Sequence, residues 1–270
     1  MGWDPAAYLR YDDFRTRPAA DLLARVPLQA PALIYDLGCG PGNSTALLRA
    51  RWPEARIIGI DGSPEMLARA RRDGPQAEWE KADLSSFIPG EPADLLFSNA
   101  AYHWVPNRVE IFPRLMDRLK PGGVLAVQMP ANFEAPSHRV IRETAALKPW
   151  AERFEGMDRP AGIEPPDTYY DLLSDAAAHI DLWTTEYLHP LTGPDPVLNW
   201  VKGTALTPYL GRLEGTGLTD GFLQACAERL RAAYPPRADG VTLFPFRRLF
   251  FVAPLVEKLK SFDDEMTSED

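Results

Sequence analysis

Short apolar runs, each delivering a polar residue at its end, set the rhythm of the first half of the chain. Residues 32–35 lead into Asp36, residues 56–60 into Asp61 and residues 93–98 into Asn99, while residues 124–129 form a fourth such run. Residues 78–84 (E-W-E-K-A-D-L) instead alternate, as a half-buried strand does, before Ala82, Asp83 and Leu84 leave it. Apolar residues recur at helical spacing between the runs, after Asn43, after Pro64 and through residues 107–119, where K-P-G-G marks a stop. Strands this uniformly apolar belong to a parallel sheet covered on both faces, and five strands alternating with helices predict a doubly wound α/β fold. Right-handed crossovers then bring the carboxyl ends of all these strands to one edge.

Beyond Pro130 the pattern changes. Prolines and aromatics dominate, and residues 159–170 (R-P-A-G-I-E-P-P-D-T-Y-Y) read as a lid loop. Residues 179–189 alternate well and form the sixth strand; residues 241–253 form the seventh, with Pro245 tolerable at a bulge or at the strand's entrance. The stretch between them, about 195–234, is helical and too long for a hairpin, which predicts an inserted cap. The expected organisation is an N-terminal lid and substrate segment (1–30), a Rossmann-like cofactor core (31–130), the remaining sheet with its helical cap (131–254) and a disordered acidic tail (255–270).

Composition narrows the class. A chain of 270 residues with 45% hydrophobic content can bury one substantial α/β core with insertions. The net charge of −9, of which six acidic and two basic side chains in residues 255–270 supply −4, argues against a nucleic-acid surface. No apolar stretch approaches the 18 to 20 residues a membrane span needs, and no secretory leader opens the chain. Two cysteines, Cys39 and Cys226, are too few for a disulfide framework and lack metal-ligand spacing, so a reduced cytoplasmic setting with no metal is expected.

The chemistry concentrates in D-L-G-C-G-P-G-N-S-T, residues 36–45, between the first strand and the next helix. Gly38, Gly40 and Gly42 let a ligand approach the backbone and accept positive φ, and the helix start offers unpaired N–H groups. A dinucleotide fingerprint would read G-x-G-x-x-G, but Asn43 stands where its last glycine belongs. Asp36 before the loop would repel a pyrophosphate and attract an ammonium, which favours an amino-acid-bearing cofactor over NAD. Asp61 ends the second strand, where a carboxylate can take both ribose hydroxyls. Gly62 and Ser63 turn the chain, Pro64 suits a first helical position, and Met66 lies either against an adenine or in the core. Asp83 reads two ways, as an acceptor for an adenine amino group or as a solvated helix cap, with Leu84, Ser85 and Ser86 in the turn after it. Tyr102 and Trp104, after the fourth strand, read as partly core, with cofactor contact the alternative.

These motifs resemble the class I S-adenosylmethionine-dependent methyltransferases. The stretches W-D-P-A-A-Y-L-R-Y from Trp3, R-T-R-P-A-A-D-L-L-A-R-V-P from Arg15, G-V-L-A-V-Q-M-P from Gly123, W-V-K-G-T-A-L-T-P-Y-L from Trp200 and R-L-F-F-V-A from Arg248 resemble, more narrowly, the trans-aconitate 2-methyltransferase family. The resemblance covers most of residues 3–253 and implies the seven-stranded mixed sheet of class I methyltransferases with an inserted cap. It implies S-adenosylmethionine as donor, S-adenosylhomocysteine as product and a monomethyl ester of a small polycarboxylate, with no obligate protein partner. Cofactor binding would fall to Asp36, Gly38, Cys39, Gly40, Asn43, Asp61, Gly62, Ser63, Met66, Ala82, Asp83, Leu84, Asn99, Ala100 and Trp104. Three positions depart from the family pattern: His103 for glutamine, Ala131 for aspartate and Arg247 for proline.

Arginine's planar fork suits carboxylate binding and tyrosine adds hydrogen bonds without charge, so Tyr8, Tyr11, Arg17, His103, His138, Tyr170 and Arg247 are the acceptor candidates. A carboxylate is already ionised at neutral pH, so no general base is expected and catalysis would rest on alignment. Three other readings stay open. The chain could methylate a different small molecule, act as a nicotinamide-dependent oxidoreductase on the same fold, or bind S-adenosylmethionine without catalysis.

Overall fold

The computed structural model describes residues 14, 16–157 and 162–256. Seven strands form one sheet: β1 (Leu33–Leu37), β2 (Arg56–Asp61), β3 (Glu78–Lys81), β4 (Ala93–Asn99), β5 (Leu119–Pro130), β6 (Asp181–Leu191) and β7 (Thr242–Pro254). Their order is β3-β2-β1-β4-β5-β7-β6. The first five are parallel, with Leu33 opposite Arg56 and Leu37 opposite Ile60 in one pair, and Leu96 opposite Tyr35 and Leu125 in the next two. β7 runs against β5: Ala131 N–H donates to the Arg247 carbonyl at one end and Leu255 N–H to that of Gly123 at the other. This is the mixed sheet that the sequence predicts.

Helices α1 (Thr16–Arg25), α2 (Asn43–Arg51), α3 (Pro64–Asp73) and α4 (Arg108–Met116) accompany the parallel strands. The chain divides into two compact units, one built from the described parts of Met1–Met129, Glu164–Trp183 and Leu249–Asp270, the other from Pro130–Ile163 and Thr184–Arg248. In the first unit every residue of β1 is buried, and Ile34, Leu37, Leu95, Phe97, Val124 and Val127 leave no exposed surface. That is the both-faces-covered strand the apolar runs announce. Phe112 of α4 packs edge-on against Tyr102 and Phe251, at 5.0 and 5.3 Å between ring centres.

The second unit holds α5 (Pro136–Ala145), followed by α7 (Pro196–Lys202), α8 (Thr207–Leu213) and α9 (Thr219–Ala233) within the stretch that reads as a cap. Its aromatic residues form a cluster of their own: Phe222 meets Trp150, Phe154 and Tyr209, with ring centres 5.3 to 6.0 Å apart. Tyr234, at the end of α9, accepts a hydrogen bond from Ser137 N–H of α5 at 2.9 Å.

Three expectations need correcting. α6 (Pro166–Leu173) is a helix where residues 159–170 read as a loop, because Pro166 fixes a first helical position and Asp167 sits favourably in the first turn; residues 158–161 lie outside the described part. β5 begins at Leu119 rather than 124, because a register irregularity between Ala93 and Leu95 accommodates Pro121 and Gly122, the latter at φ 75°. The connection from β3 to β4 holds no helix among the described residues, only the turn from Asp83. The acidic tail from residue 257 and the stretch that starts at Trp3 lie outside the described residues, as does Arg15.

Candidate functional site

The carboxyl ends of β1, β2, β3 and β4 are neighbours, and the glycine loop crosses them. Asp36, penultimate in β1, is wholly buried. Its Oδ2 accepts hydrogen bonds from Thr45 Oγ1 at 2.6 Å and Ser44 Oγ at 2.8 Å, both in the first turn of α2. Its Oδ1 is equally buried and has no partner among the described residues. Burial pushes the carboxyl up to about 6, although the two hydroxyls favour its charged form.

Gly38 then turns at φ 81° and donates its N–H to the Ile60 carbonyl at 2.8 Å. A β-carbon there would lie 2.1 Å from that of Ala101 and 3.3 Å from a Leu84 methyl, so glycine alone lets the turns after β1, β3 and β4 meet. Gly40 N–H donates to Asp61 Oδ2 at 2.9 Å, and Ser63 N–H to Oδ1 at 2.8 Å. Each Asp61 oxygen thereby keeps a second lone pair, which is what two adjacent hydroxyls would require. Ala82 N–H bonds the Asp61 carbonyl at 3.2 Å, tying the end of β3 to that of β2. Gly62 is exposed, and Cys39 is buried with its sulfur close to Gly59, where a β-carbon would meet it at 3.0 Å. Asn43, exposed, begins α2 directly behind Gly42.

The remaining cofactor candidates sort by exposure. Met66 is 44% exposed on the first turn of α3, where Ser63 caps the helix, so the core alternative fails. Asp83 is exposed and its Oδ1 accepts Ser85 N–H at 2.9 Å, a bond that holds its carboxyl below the usual range. Asp83 thus closes a turn that no helix follows among the described residues, so the helix-cap reading of it fails. Asn99, the last residue of β4, has a buried Oδ1 with no partner among the described residues. Ala100 follows at φ 55°, a strained conformation for a residue with a β-carbon. Tyr102 is fully buried, but Trp104 is 60% exposed, so the expectation that both are partly core holds for the first alone. In the short 3-10 turn Tyr102–Trp104 the direction of each side chain alternates too quickly for periodicity to assign it.

Ser44 and Thr45 were legible only as the first turn of a helix, and their bonds to Asp36 make them part of the cradle. Taken together, the cradle presents Asp36, Asp61, Asp83 and the Asn99 carbonyl, all acceptors. Such a set suits a ligand bearing an ammonium and vicinal hydroxyls and would repel a pyrophosphate dianion.

The acceptor candidates lie on both units. In the first, Arg17 stands exposed on α1 with its Nε 3.9 Å from Asp21 Oδ2. His103 is partly buried, its ring centre 4.8 Å from that of Trp104, and Tyr170 is 51% exposed on α6. In the second, His138 opens α5 beside Phe133; burial lowers its imidazole to about 4, so it is neutral at physiological pH and brings no charge to an anion. Arg247 is exposed, whereas its neighbour Arg248 is buried with its guanidinium 4.6 Å above the Phe246 ring. Arg247 and Ala131 line a cleft of about 600 Å³. Tyr8 and Tyr11 lie outside the described residues.

Residues 34–123 match the family described as a methyltransferase domain. The chain is 49% identical over 251 residues to the trans-aconitate 2-methyltransferase of Azoarcus, covering 93% of this chain and 98% of that one. It is 50% identical over 252 residues to the protein of the same name from Methylobacterium nodulans, covering 93% and 97%. Among solved structures, the YcgJ protein of Bacillus subtilis superposes with a TM-score of 0.55 at 12% identity, over 89% of this chain and 98% of that one. Haemonchus contortus phosphoethanolamine N-methyltransferase 2, in complex with phosphomonomethylethanolamine and S-adenosylhomocysteine, superposes with a TM-score of 0.51 at 15% identity, over 87% and 52%. At these identities the two superpositions speak for the fold alone.

Proposed function

Since this chain belongs to the trans-aconitate 2-methyltransferase family, we propose that it transfers the methyl group of S-adenosylmethionine to a carboxylate of trans-aconitate, giving a monomethyl ester and S-adenosylhomocysteine. The observation that carries the donor half of this reading is the buried, half-satisfied Asp36 carboxylate beside Asp61 on the next strand. Family membership carries the acceptor half.

In this reading Asp36 and Asn99 accept from the ammonium of the methionine moiety, Asp61 from the ribose hydroxyls and Asp83 from the adenine amino group. Gly38, Cys39, Gly40, Asn43, Gly62 and Ser63 form the backbone cradle, and Met66, Ala82, Leu84, Ala100 and Trp104 its walls. S-adenosylmethionine brings an electrophilic sulfonium methyl, and the acceptor carboxylate is ionised at neutral pH, so no residue of this chain has to remove a proton. What the chain supplies is orientation: arginine and tyrosine donors hold the spectator carboxylates and leave the reacting oxygen weakly bound. Tyr8, Tyr11, Arg17, His103, His138, Tyr170 and Arg247 are the proposed donors or walls for that acceptor. Holding two reactants in near-attack geometry can lower a barrier by roughly 7 to 11 kcal/mol. The acceptor is a small molecule, and the free, buried Cys39 and Cys226 fit a reducing cytoplasm. No helix among the described residues is long and apolar enough to cross a membrane.

Methyl-labelled S-adenosylmethionine mixed with aconitate, isocitrate and citrate tests the reaction. Base-labile label appearing in trans-aconitate is the expected result. Transfer to none of the three overturns the acceptor, and failure to bind the donor overturns the reading entirely.

A further inference from the structure

A serine or threonine hydroxyl inside a helix often bonds back to a carbonyl one turn earlier, as Thr144 Oγ1 does to that of Val140 at 2.8 Å. Ser44 and Thr45, in the first turn of α2, instead reach across to the preceding strand. Both donate to the same atom, Asp36 Oδ2, at 2.8 and 2.6 Å, and both residues are buried. The shorter distance is that of a hydroxyl bonded to an ionised carboxylate.

This geometry divides the carboxylate. Oδ2 is held by two donors, whereas Oδ1 is buried with no partner among the described residues, so Oδ1 is the atom left for a ligand. The surroundings of Asp36 do little to support its charge. It lies opposite Gly59 of β2 and Phe97 of β4, and Asp61 at the end of β2 acts against ionisation. The Cys39 thiol is held protonated, mainly by burial. Arg49 and Arg51, the charged residues of α2, lie in its last turn and bond to the carbonyls of Pro53 and Ala55 and to that of Val26. The pair of hydroxyls is what opposes burial at Asp36.

We propose that Ser44 and Thr45 are positioning residues for the donor: by engaging Oδ2 of Asp36 they reserve Oδ1 for the ammonium of the methionine moiety. They act through Asp36. The inference rests on the donor proposed above, and its test reads affinity and the ligand-free chain, not turnover. S-adenosylhomocysteine is titrated calorimetrically between about pH 5 and pH 8 into wild type, Ser44→Ala, Thr45→Val and Thr45→Ser, and into Asp36→Asn with and without Thr45→Val. Losing a hydrogen bond to a charged group moves a carboxyl by about one pKa unit, so the pH below which affinity falls is expected to rise by about one unit in Ser44→Ala and in Thr45→Val. Each then binds about tenfold more weakly than wild type at pH 5 and within about twofold of it at pH 8. Thr45→Ser keeps the hydroxyl and is expected to restore the wild-type profile, while Thr45→Val changes nothing further in Asp36→Asn. In the ligand-free chain the midpoint read from urea stability against pH rises in parallel. Hydroxyls that serve only the helix would lower stability and affinity by one factor at every pH. That outcome, unchanged profiles in both hydroxyl variants, or an equal loss in Asp36→Asn overturns the inference and leaves the donor standing. Wild type that does not bind S-adenosylhomocysteine overturns the donor and the inference with it.

Discussion

Asp36 is wholly buried, and only one of its two carboxylate oxygens has donors. Its carboxyl is raised to about 6, mainly by burial, from an ordinary value near 4. Two pKa units correspond to about 3 kcal/mol by which the ionised group disfavours the folded, ligand-free chain at neutral pH. Asp36→Asn removes that charge while its amide oxygen can still accept from Ser44 and Thr45. This variant is expected to raise the stability of the free chain by up to about 3 kcal/mol in urea melts, and to weaken S-adenosylmethionine binding about 100-fold by calorimetry. Stability that fails to rise would show that another donor satisfies the carboxylate. The single-residue chemistry was legible here because Asp36, Asp61 and Asn99 each end an apolar run. The partners Ser44 and Thr45 were not, because sequence gives no indication of which way a hydroxyl in a first helical turn points.

At the scale of elements, α4 and α6 are joined by a charge cluster that no motif announced. Arg108 is 5% exposed; its Nε and Nη2 reach Glu164 at 2.8 and 2.9 Å, and its Nη1 donates to the Val105 carbonyl at 3.0 Å. Tyr169 Oη donates to the same Glu164 oxygen at 2.5 Å. The two partners are not equivalent, because the Arg108 side chain is 7% exposed and that of Glu164 29%. Glu164→Ala removes the carboxylate that this buried guanidinium meets through two hydrogen bonds and is expected to cost about 3 kcal/mol in chemical denaturation. Arg108→Met, which keeps the apolar stem and leaves a carboxylate that water can reach, is expected to cost less than half of that. Equal losses would mean that packing, not the lost ion pair, sets the energy. The pairing spans 56 positions of sequence. Periodicity finds faces within one element and cannot find partners at that separation, so residues 159–170 read as a loop and nothing in the pattern singled out Arg108. The same limit applies to Arg247 and Arg248: alternation places them on opposite faces of β7, but only the pairing with β5 decides which face is inside.

For the whole molecule, Asp36 couples acid, stability and ligand. Its folded value lies above the ordinary one, so its stabilising contribution is fully present below about pH 4 and is lost as the pH rises through about 6. A bound ammonium needs the ionised form and reverses the preference. S-adenosylhomocysteine is therefore expected to bind about tenfold more weakly at pH 5 than at pH 8, and the rise in Tm it produces should shrink over the same interval. A Kd constant across that range would remove Asp36 from the ligand. The topology that places this coupling was largely readable beforehand: the parallel strands and their shared carboxyl edge follow from apolar runs and glycine turns, whereas the antiparallel return was implied only by the resemblance to class I methyltransferases. The missing helix between β3 and β4 was not, since a turn from Asp83 and a helix cap share the same residues.

Strand β3 ends the sheet on one side, four residues long, with Glu78, Glu80 and Lys81 exposed around a half-buried Trp79. A sheet edge offers unpaired backbone groups to any extended chain that drifts against it, in a refolding neighbour or a crowded translation product. Charges on a strand this short set a desolvation penalty against every such partner, so the margin that contributes least to the core is also the one that keeps separate copies of the sheet from joining edge to edge.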